Sequence, residues 1–455
     1  MMTVMTIQIT LSTIIMVAIF ILQSSVRAFH PPNAAIVVGG GVGGGVGGGV
    51  LNRLNCHLSS GARRVAAHHY HHHHRCFAPL STSTSTSSFR LLSATNDEES
   101  SDNSQNKKRV VFLGTPDVAA TSLRRLYEDS QRDGCGYKLV SVITQPPKRR
   151  RRKGKLEPSP VGAVAEELGL QVLCPEKAKD SDFLDQFELE IKPDLCITAA
   201  YGQYLPKRFL NTPTLGTVNI HPSLLPKWRG ASPVQRSLEA GDNPVGVTVL
   251  YTVSKMDAGP IVSQQSEQID DQTDTATKVL PWLFDIGTDL LIKALPDILD
   301  GETMTMDVAT QQDESNVVQA KMIDSSEAEL RPWEESAWTM HNRLRGFSMW
   351  PGAFLYLHVG DKDSSDVEPV KYKILETRVL SETSEVTDEV SPGLTKKDGL
   401  RLVCADGSVL EILRLQPATK KPVDALSFVN GLQGRTVRWV KNDVGAAAPT
   451  ATPST

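Results

Sequence analysis

Between residues 109 and 299, short apolar segments alternate with segments of helical periodicity, and this alternation constrains the fold more than any other feature. Buried strands are predicted at residues 109–114, 138–144, 194–199, 216–220, 245–253 and 261–269, and helices at 118–127, 160–168, 182–191, 233–240 and 275–299. Strands that alternate with helices form a mostly parallel sheet covered on both faces. We therefore expect a Rossmann-like α/β domain, with ligands bound outside the carboxyl ends of its strands.

Downstream of Pro351 the chain changes character, and short strands replace the alternation of strands and helices. Strands are predicted at residues 353–359, 370–376, 400–404 and 409–416, with turns such as Asp406-Gly407 between them. This pattern predicts a small β-barrel of OB-like form, preceded by a helix at 333–347. Because 455 residues exceed one ordinary domain, we expect the α/β domain at 108–300, a polar linker at 301–330, the barrel domain at 331–442 and a disordered tail at 443–455.

The first 107 residues are expected to form a targeting leader and no part of the fold. Residues 7–22 are an apolar run that is short for a membrane span, and the junction of Ala28 and Phe29 offers a cleavage point. The next residues are rich in Ser and Thr and carry no acidic side chain before Asp97. We therefore expect a signal-like segment at 1–28 and a disordered transit peptide and linker at 29–107. Together they resemble the bipartite plastid signal of algae with complex plastids; a mitochondrial presequence and a signal anchor are the alternatives. Once the leader is removed, we expect no stable membrane association.

Overall charge and cysteine usage give no sign of a metal or a disulfide framework. The chain has 48 Lys and Arg against 52 Asp and Glu, so its net charge alone does not indicate a nucleic-acid partner. The six cysteines are scattered and form no C-x-x-C pair, which argues against a zinc site. We predict no bound metal and expect a monomer.

The strongest chemical signal lies where the predicted strand at 216–220 ends. Asn219 and His221 are two residues apart, so an extended strand points both side chains the same way. An imidazole that moves a proton, beside an amide that stabilises an oxyanion, suits acyl or formyl transfer without a protein nucleophile. Asp257 follows the next predicted strand and, if hydrogen-bonded to His221, would fix its tautomer. Taken singly, each of the three could equally be an ordinary strand-end or turn residue.

The segment around these residues, Asn-x-His-Pro-Ser-Leu-Leu-Pro-x-x-Arg-Gly-Ala-x-Pro at 219–233, resembles the signature of the folate-dependent formyltransferases. Further segments similar to this family lie across both predicted domains, from about Arg109 to Trp439: Phe112-Leu-Gly-Thr-Pro-Asp117, Thr144-Gln-Pro146, Leu156-Glu-Pro-Ser-Pro-Val161, Ala200-Tyr-Gly202, Leu205-Pro206 and Leu415-Gln-Pro-Ala418.

The resemblance implies a reaction and a set of site residues. Asn219, His221 and Asp257 would be the catalytic set. The implied folate-binding residues are Ser223, Leu224, Leu225 and Pro226, together with Tyr201 and Gly202. The formyl donor would be 10-formyltetrahydrofolate, and the acceptor the α-amino group of methionine on initiator tRNA, which would serve translation initiation in an organelle. Members of the family commonly have a second acid three residues after the catalytic aspartate, where this chain has Pro260; we expect that change to affect the shape of the loop. Another folate-dependent formyltransferase, a formyltetrahydrofolate hydrolase or dehydrogenase module, and an inactive RNA-binding homologue are the alternatives.

A dense basic segment at residues 148–155 indicates a phosphate-rich partner, since it places seven positive charges in eight residues of an otherwise balanced chain. In the family a loop at this place contacts the acceptor end of tRNA, and Arg152 aligns with the arginine used there. A solvated loop is the alternative. The predicted tRNA-binding residues are Arg149, Arg150, Arg151, Arg152, Lys153 and Lys155, with Lys420 and Lys421 in the second domain.

Overall fold

The computed structural model describes residues 107–149, 154–360, 368–384, 393–395 and 399–440. The predicted leader up to residue 106, basic residues 150–153 and the predicted tail from residue 441 therefore lie outside the described residues.

The predicted strands of the first half begin and end within two residues of their predicted positions. Four further strands of two residues each, in the described part of this half, are not predicted from the sequence. In chain order the strands of this half are β1 (Lys108–Gly114), β2 (Tyr137–Ile143), β3 (Lys148–Arg149), β4 (Leu156–Glu157), β5 (Val172–Leu173), β6 (Leu195–Ala199), β7 (Thr217–His221), β8 (Arg229–Gly230), β9 (Val245–Tyr251) and β10 (Ile261–Glu267).

The helices of this half lie where the periodicity predicts them, except for one additional short helix at Lys207–Leu210. They are α1 (Asp117–Ser130), α2 (Pro160–Glu167), α3 (Ser181–Gln186), α4 (Lys207–Leu210), α5 (Pro233–Glu239) and α6 (Ala276–Leu299). The predicted helix at 182–191 is divided, because α3 passes into a π-helical turn at Phe187–Ile191.

One seven-stranded sheet, in the order β10-β9-β7-β6-β1-β2-β5, forms the centre of this domain. Strands β5, β2, β1, β6 and β7 are parallel, whereas β9 runs antiparallel to β7 and β10 antiparallel to β9. This confirms the predicted Rossmann-like, mostly parallel sheet. The strand order reverses between β1 and β6, and such a switch point is where α/β sheets bind ligands.

Helices cover both faces of the sheet, and the side chains of β1 show how. Val110 and Phe112 belong to an apolar cluster shared with α1 and α6, whereas Val111 and Leu113 belong to a second cluster on the other face. Successive residues of a strand point to opposite faces, so a strand buried on both sides is apolar throughout. That is why the predicted strands of the sheet centre are continuous apolar runs.

The second half is an antiparallel sheet curled into a half-barrel, which agrees with the predicted β-rich second domain. Its strands are β12 (Ala353–Gly360), β13 (Val370–Thr383), β14 (Gly393–Thr395), β15 (Gly399–Val403), β16 (Ser408–Pro417), β17 (Val423–Asp424) and β18 (Thr436–Trp439). The strand path is β14-β15-β16-β13-β12-β18, with β17 paired to β16. Two helices accompany it, α7 (Ala337–Gly346) and α8 (Ala425–Asn430). Helix α7 begins four residues later than predicted, because the Ser336 side chain accepts a hydrogen bond from the Thr339 amide and caps it there.

The segment at 301–330 is folded onto the α/β domain. It contains β11 (Gln319–Ala320), which pairs in parallel with β8, and two 3₁₀ turns at Glu314–Asn316 and Ser325–Ala328. Ala309, Ala320 and Ala328 are buried. The polar composition that predicts a linker here is therefore compatible with an ordered connector whose few buried residues are apolar, among them Ile323 and Leu330.

Side chains of α7 join the two halves through the loop at 270–274. His341 Nε2 donates to the Asp271 carbonyl oxygen at 3.0 Å, and Arg345 Nε donates to the Asp274 carbonyl oxygen at 2.8 Å. Both side chains are almost completely buried. Across the described ranges, no helix is long and apolar enough to span a membrane.

Candidate functional site

Asn219 and His221 stand at the carboxyl end of β7, one strand away from the switch point. In the register of the sheet, Asn219 lies beside Thr198 of β6, and His221 lies beside Thr248 of β9. The Thr198 hydroxyl donates to Asn219 Oδ1 at 2.8 Å. Because the amide oxygen is held in this way, the Nδ2 group of Asn219 is the end that can donate to a substrate oxygen.

The tautomer of His221 follows from its contact with a backbone carbonyl. The side chain is buried, with the residue 4% exposed, and Nε2 lies 2.9 Å from the Trp228 carbonyl oxygen. A carbonyl oxygen only accepts, so Nε2 carries the hydrogen and Nδ1 of the neutral ring carries the lone pair. The nitrogen able to take up a proton is thus Nδ1, which faces Asp257.

The structure brings Asp257 to His221, but the predicted direct hydrogen bond between them is wrong. His221 Nδ1 and Asp257 Oδ2 are 3.7 Å apart, which is too long for such a bond. Asp257 Oδ2 instead accepts from the Gly230 amide at 2.9 Å. The tautomer of the histidine is therefore set by Trp228, while the carboxylate lies close enough to interact with a proton held on Nδ1.

The backbone of the Asp257 loop has little freedom. Asp257 itself has a φ of 49°, in the left-handed region that L-residues rarely adopt. A side chain at Gly259 would place its Cβ 1.7 Å from the Tyr251 carbonyl oxygen. The Tyr251 amide in turn donates to the Pro260 carbonyl oxygen at 2.9 Å, so Pro260 closes the loop through its carbonyl.

Two side chains that hold this loop are not among the predicted site residues, namely Arg229 and Gln312. Arg229 stands in the Arg-Gly pair of the segment that carries the resemblance, so a sequence signal existed. Gln312 lies in the connector, 55 residues from Asp257, and its contact with the loop depends on the path of the folded chain.

The loop at 223–226 is fastened to β9 by hydrogen bonds to Thr248. The Thr248 hydroxyl donates to the Ser223 carbonyl oxygen at 2.7 Å and accepts from the Leu225 amide at 3.2 Å. Ser223 and Leu225 are buried and Pro226 is half-buried. Leu224 lines a cavity of about 210 Å³ together with Trp228 and residues 242–246. Leu224 is thus placed in a cavity wall, and the assignment of the loop to folate stays a prediction.

Tyr201 and Gly202 follow β6 at the switch point. The Thr115 hydroxyl and the Gln145 side-chain amide both donate to the Tyr201 carbonyl oxygen, at 2.8 and 3.4 Å, which ties together the loops after β1, β2 and β6. The Tyr201 ring packs in the apolar cluster that contains Val111 and Leu113, and burial raises the pKa of its hydroxyl. The side of this residue that a ligand could meet is therefore its backbone, while Gly202 has a φ of 84° that suits glycine.

The predicted tRNA-binding residues lie on two exposed turns. Arg149 belongs to the short β3–β4 hairpin, in which Lys148 pairs with Glu157, and Lys155 is exposed on the same hairpin. Arg150, Arg151, Arg152 and Lys153 lie outside the described residues. Lys420 and Lys421 are exposed beside a cavity of about 470 Å³ lined by Trp350, Lys371, Lys373 and residues 416–419. In the described part of the chain, no group of three or more His, Cys, Asp or Glu side chains could hold a metal ion.

Both domains of the chain match models of known protein families. Residues 108–295 match the family model described as formyl transferase, and residues 322–433 match the model of the formyl transferase C-terminal domain. The methionyl-tRNA formyltransferase of Lysinibacillus sphaericus is 36% identical over 327 residues, covering 71% of this chain and 95% of that protein. The enzyme of the same name from Listeria innocua is 36% identical over 323 residues, covering 71% and 95%. Among solved structures, the sugar 3N-formyl transferase WlaRD, crystallised in the presence of dTDP and 5-N-formyl-THF, has 17% identity and a TM-score of 0.47, covering 70% of this chain and 99% of that one.

Proposed function

This chain belongs to the formyl transferase family, and from that premise we propose that it transfers the formyl group of 10-formyltetrahydrofolate to the α-amino group of methionyl initiator tRNA. The observation that carries the proposal is the meeting of three polar side chains at one strand end. Asn219 offers an amide donor, His221 a free Nδ1, and Asp257 a carboxylate 3.7 Å from that nitrogen.

These groups supply what direct formyl transfer needs. The amine attacks the formyl carbon, a new N–C bond forms, and the formyl oxygen gains negative charge that Asn219 Nδ2 can stabilise. The attacking amine must lose a proton, which His221 Nδ1 can accept beside Asp257. The same proton can then pass to the departing folate nitrogen as its bond to the formyl carbon breaks. No covalent bond to the protein is required.

Substitution of the strand-end residues tests this proposal. We expect His221→Ala and Asn219→Ala each to lower kcat for formylation of methionyl-tRNA by about 100-fold or more, with the KM for tRNA little changed. Asn211→Ala is the matched control, because Asn211 is exposed at the end of α4. Wild-type kcat in the His221 variant would exclude the proposed chemistry.

The C-terminal domain and the basic hairpin support a tRNA acceptor over a small amine. The match to the C-terminal family model extends through residue 433. The similar proteins from Lysinibacillus sphaericus and Listeria innocua are covered to 95% of their length, and both are named methionyl-tRNA formyltransferase. Another folate-dependent formyltransferase or a formyltetrahydrofolate hydrolase is the alternative. Assay of one preparation with methionyl initiator tRNA, methionyl elongator tRNA, a sugar amine and water as acceptors separates these activities.

The remaining expectations concern the cell. We propose that the leader directs the enzyme to a plastid, with the mitochondrion as the alternative, and that it serves translation initiation there as a monomer. The support is the composition of residues 1–107. Imaging of these residues fused to a fluorescent protein decides between the organelles, and light scattering of the purified enzyme measures its mass.

A further inference from the structure

The side-chain amide of Gln312 joins the connector to the loop that carries Asp257. Its Nε2 donates to the carbonyl oxygen of Asp257 at 2.9 Å and to that of Gly259 at 2.7 Å. An amide nitrogen has two hydrogens, so both are used on this one loop. Gln312 touches only backbone atoms of the loop and leaves the Asp257 carboxylate free to face His221.

Arg229 fixes which way this amide points. Its Nε and Nη2 both donate to Gln312 Oε1, at 2.9 and 2.8 Å. An arginine has no acceptor, so the oxygen of the amide must face Arg229 and the nitrogen must face the loop. Arg229 is 1% exposed, and its Nη1 donates to Glu314 at 2.9 Å. Each nitrogen of the guanidinium is therefore hydrogen-bonded, and contacts within the protein set the orientation of Gln312.

The loop needs such a support because of its conformation. Asp257 is left-handed, and Gly259 passes so close to Tyr251 that the chain cannot shift in that direction. The carboxylate receives a hydrogen bond from Gly230, the residue next to Arg229. The backbone and the side chain of Asp257 are thus both held from β8, directly by Gly230 and through Gln312 by Arg229.

We propose that Gln312 is a positioning residue of the transfer reaction, which holds the Asp257 loop so that the carboxylate stands beside His221 Nδ1. The inference rests on the proposed function, and it assigns a catalytic consequence to the connector between the two domains. Arg229 is the second member of this clamp, because it presents the amide in the required orientation.

Two substitutions of Gln312 test the proposal. Gln312→Glu keeps the size of the side chain and can still accept from Arg229, but it cannot donate to the two carbonyls when ionised. Gln312→Leu removes both functions. We expect kcat to fall about tenfold to a hundredfold in each, with the KM for methionyl-tRNA unchanged, since small misplacement of a catalytic group costs rates of this order. Gln311→Leu is the matched control, because Gln311 is the exposed neighbour of the same residue type.

A double-mutant cycle with Asp257→Asn separates positioning from general support of the fold. If Gln312 acts through Asp257, Gln312→Glu changes kcat in the wild-type background and has little further effect in the Asp257→Asn background. Equal fold-losses in both backgrounds, a change confined to KM, or unfolding of both Gln312 variants under conditions in which Gln311→Leu folds would each overturn the proposal. A wild-type enzyme that formylates no methionyl-tRNA would instead refute the proposed function, so the two failures are distinguishable.

Discussion

At the scale of single residues, the site depends on backbone carbonyls as much as on its polar side chains. The Trp228 carbonyl decides which nitrogen of His221 carries the hydrogen, and the Tyr251 carbonyl leaves room for glycine alone at 259. Neither carbonyl belongs to a residue that the sequence analysis selects for the site. Backbone carbonyls of residues outside the candidate catalytic set therefore control the geometry of that set.

Gly259→Ala tests this control. The added methyl group would meet the Tyr251 carbonyl oxygen at 1.7 Å, so the loop must move, and we expect a loss of about 2 kcal/mol or more in unfolding free energy together with a fall in kcat. Urea unfolding and single-turnover formylation measure the two effects. In Gly136→Ala the Cβ would lie 3.9 Å from Leu299 Cδ1, an ordinary van der Waals contact, which makes that variant the control. Equal stability of the two variants would show that the loop at 259 is free to move.

The sequence predicts the positions of the candidate catalytic residues better than their contacts. The two-residue spacing of Asn219 and His221 is a local property of a strand, and the structure places both at the end of β7. The distance from His221 to Asp257 depends instead on the path of a left-handed loop and on a hydrogen bond from Gly230. Such contacts between distant segments carry no periodicity, so the predicted hydrogen bond could not be checked from the sequence.

At the scale of elements, the β3–β4 hairpin is the described part of the basic segment. It extends from the α/β domain after β2 and carries the exposed Lys148, Arg149 and Lys155. Antiparallel pairing of its two short strands presents these cations on one turn. The element is therefore a compact positive surface, which under the proposed function would meet the phosphates of the tRNA.

Charge reversal of the hairpin should weaken tRNA binding. In the triple variant Lys148→Glu, Arg149→Glu and Lys155→Glu we expect the KM for tRNA to rise about tenfold or more, kcat to change little, and the salt dependence of binding to become shallower. Filter binding of methionyl-tRNA over a range of salt concentrations measures both effects. Reversal of the exposed Lys138, Lys179 and Lys293 changes the net charge equally and is the control. The same loss of affinity in both triples would indicate an effect of overall charge.

The elements of the α/β domain are predictable because their apolar periodicity is strong, whereas the connector is not. The apolar residues of 301–330 that become buried are widely spaced along a polar segment: Ala309, Ala320, Ile323, Ala328 and Leu330. Burial of Ala320 accompanies the pairing of β11 with β8, a contact between distant segments that has no local signature. A composition that predicts a linker therefore conceals the segment that supplies Gln312.

At the scale of the whole molecule, the two domains meet through a histidine that is held neutral. His341 accepts from the Thr377 hydroxyl at Nδ1 and donates to the Asp271 carbonyl oxygen at Nε2, at 2.8 and 3.0 Å. Burial lowers the pKa of His341 to about 4, and the nearby Arg345 acts in the same direction, while Asp271 and Asp270 oppose it. Protonation of this ring would cost it the hydrogen bond from Thr377.

The domain interface should consequently weaken in acid. The unfolded chain takes up a proton at His341 as the pH falls through 6.5, and the folded protein does so only near pH 4. Stability from this group is therefore complete above pH 6.5 and declines as the pH falls toward 4, by about 2 kcal/mol between pH 7 and pH 5. Urea unfolding at both pH values should show this loss in the wild type and a smaller one in His341→Gln. An identical pH dependence in the two proteins would contradict the assignment.

The β8–β11 ladder determines where this chain could be recombined with a relative. Gly230 lies so close to Ala320 that a Cβ at 230 would stand 2.6 Å from the Ala320 carbonyl oxygen, so the two strands must come from sequences that fit each other. A chimera joined near residue 300, where composition suggests the boundary, would combine Arg229 of one parent with Gln312 of the other. A crossover after Ala328 inherits both strands and the clamp from a single parent, which makes the unit of exchange about 30 residues longer than the α/β domain of 108–300.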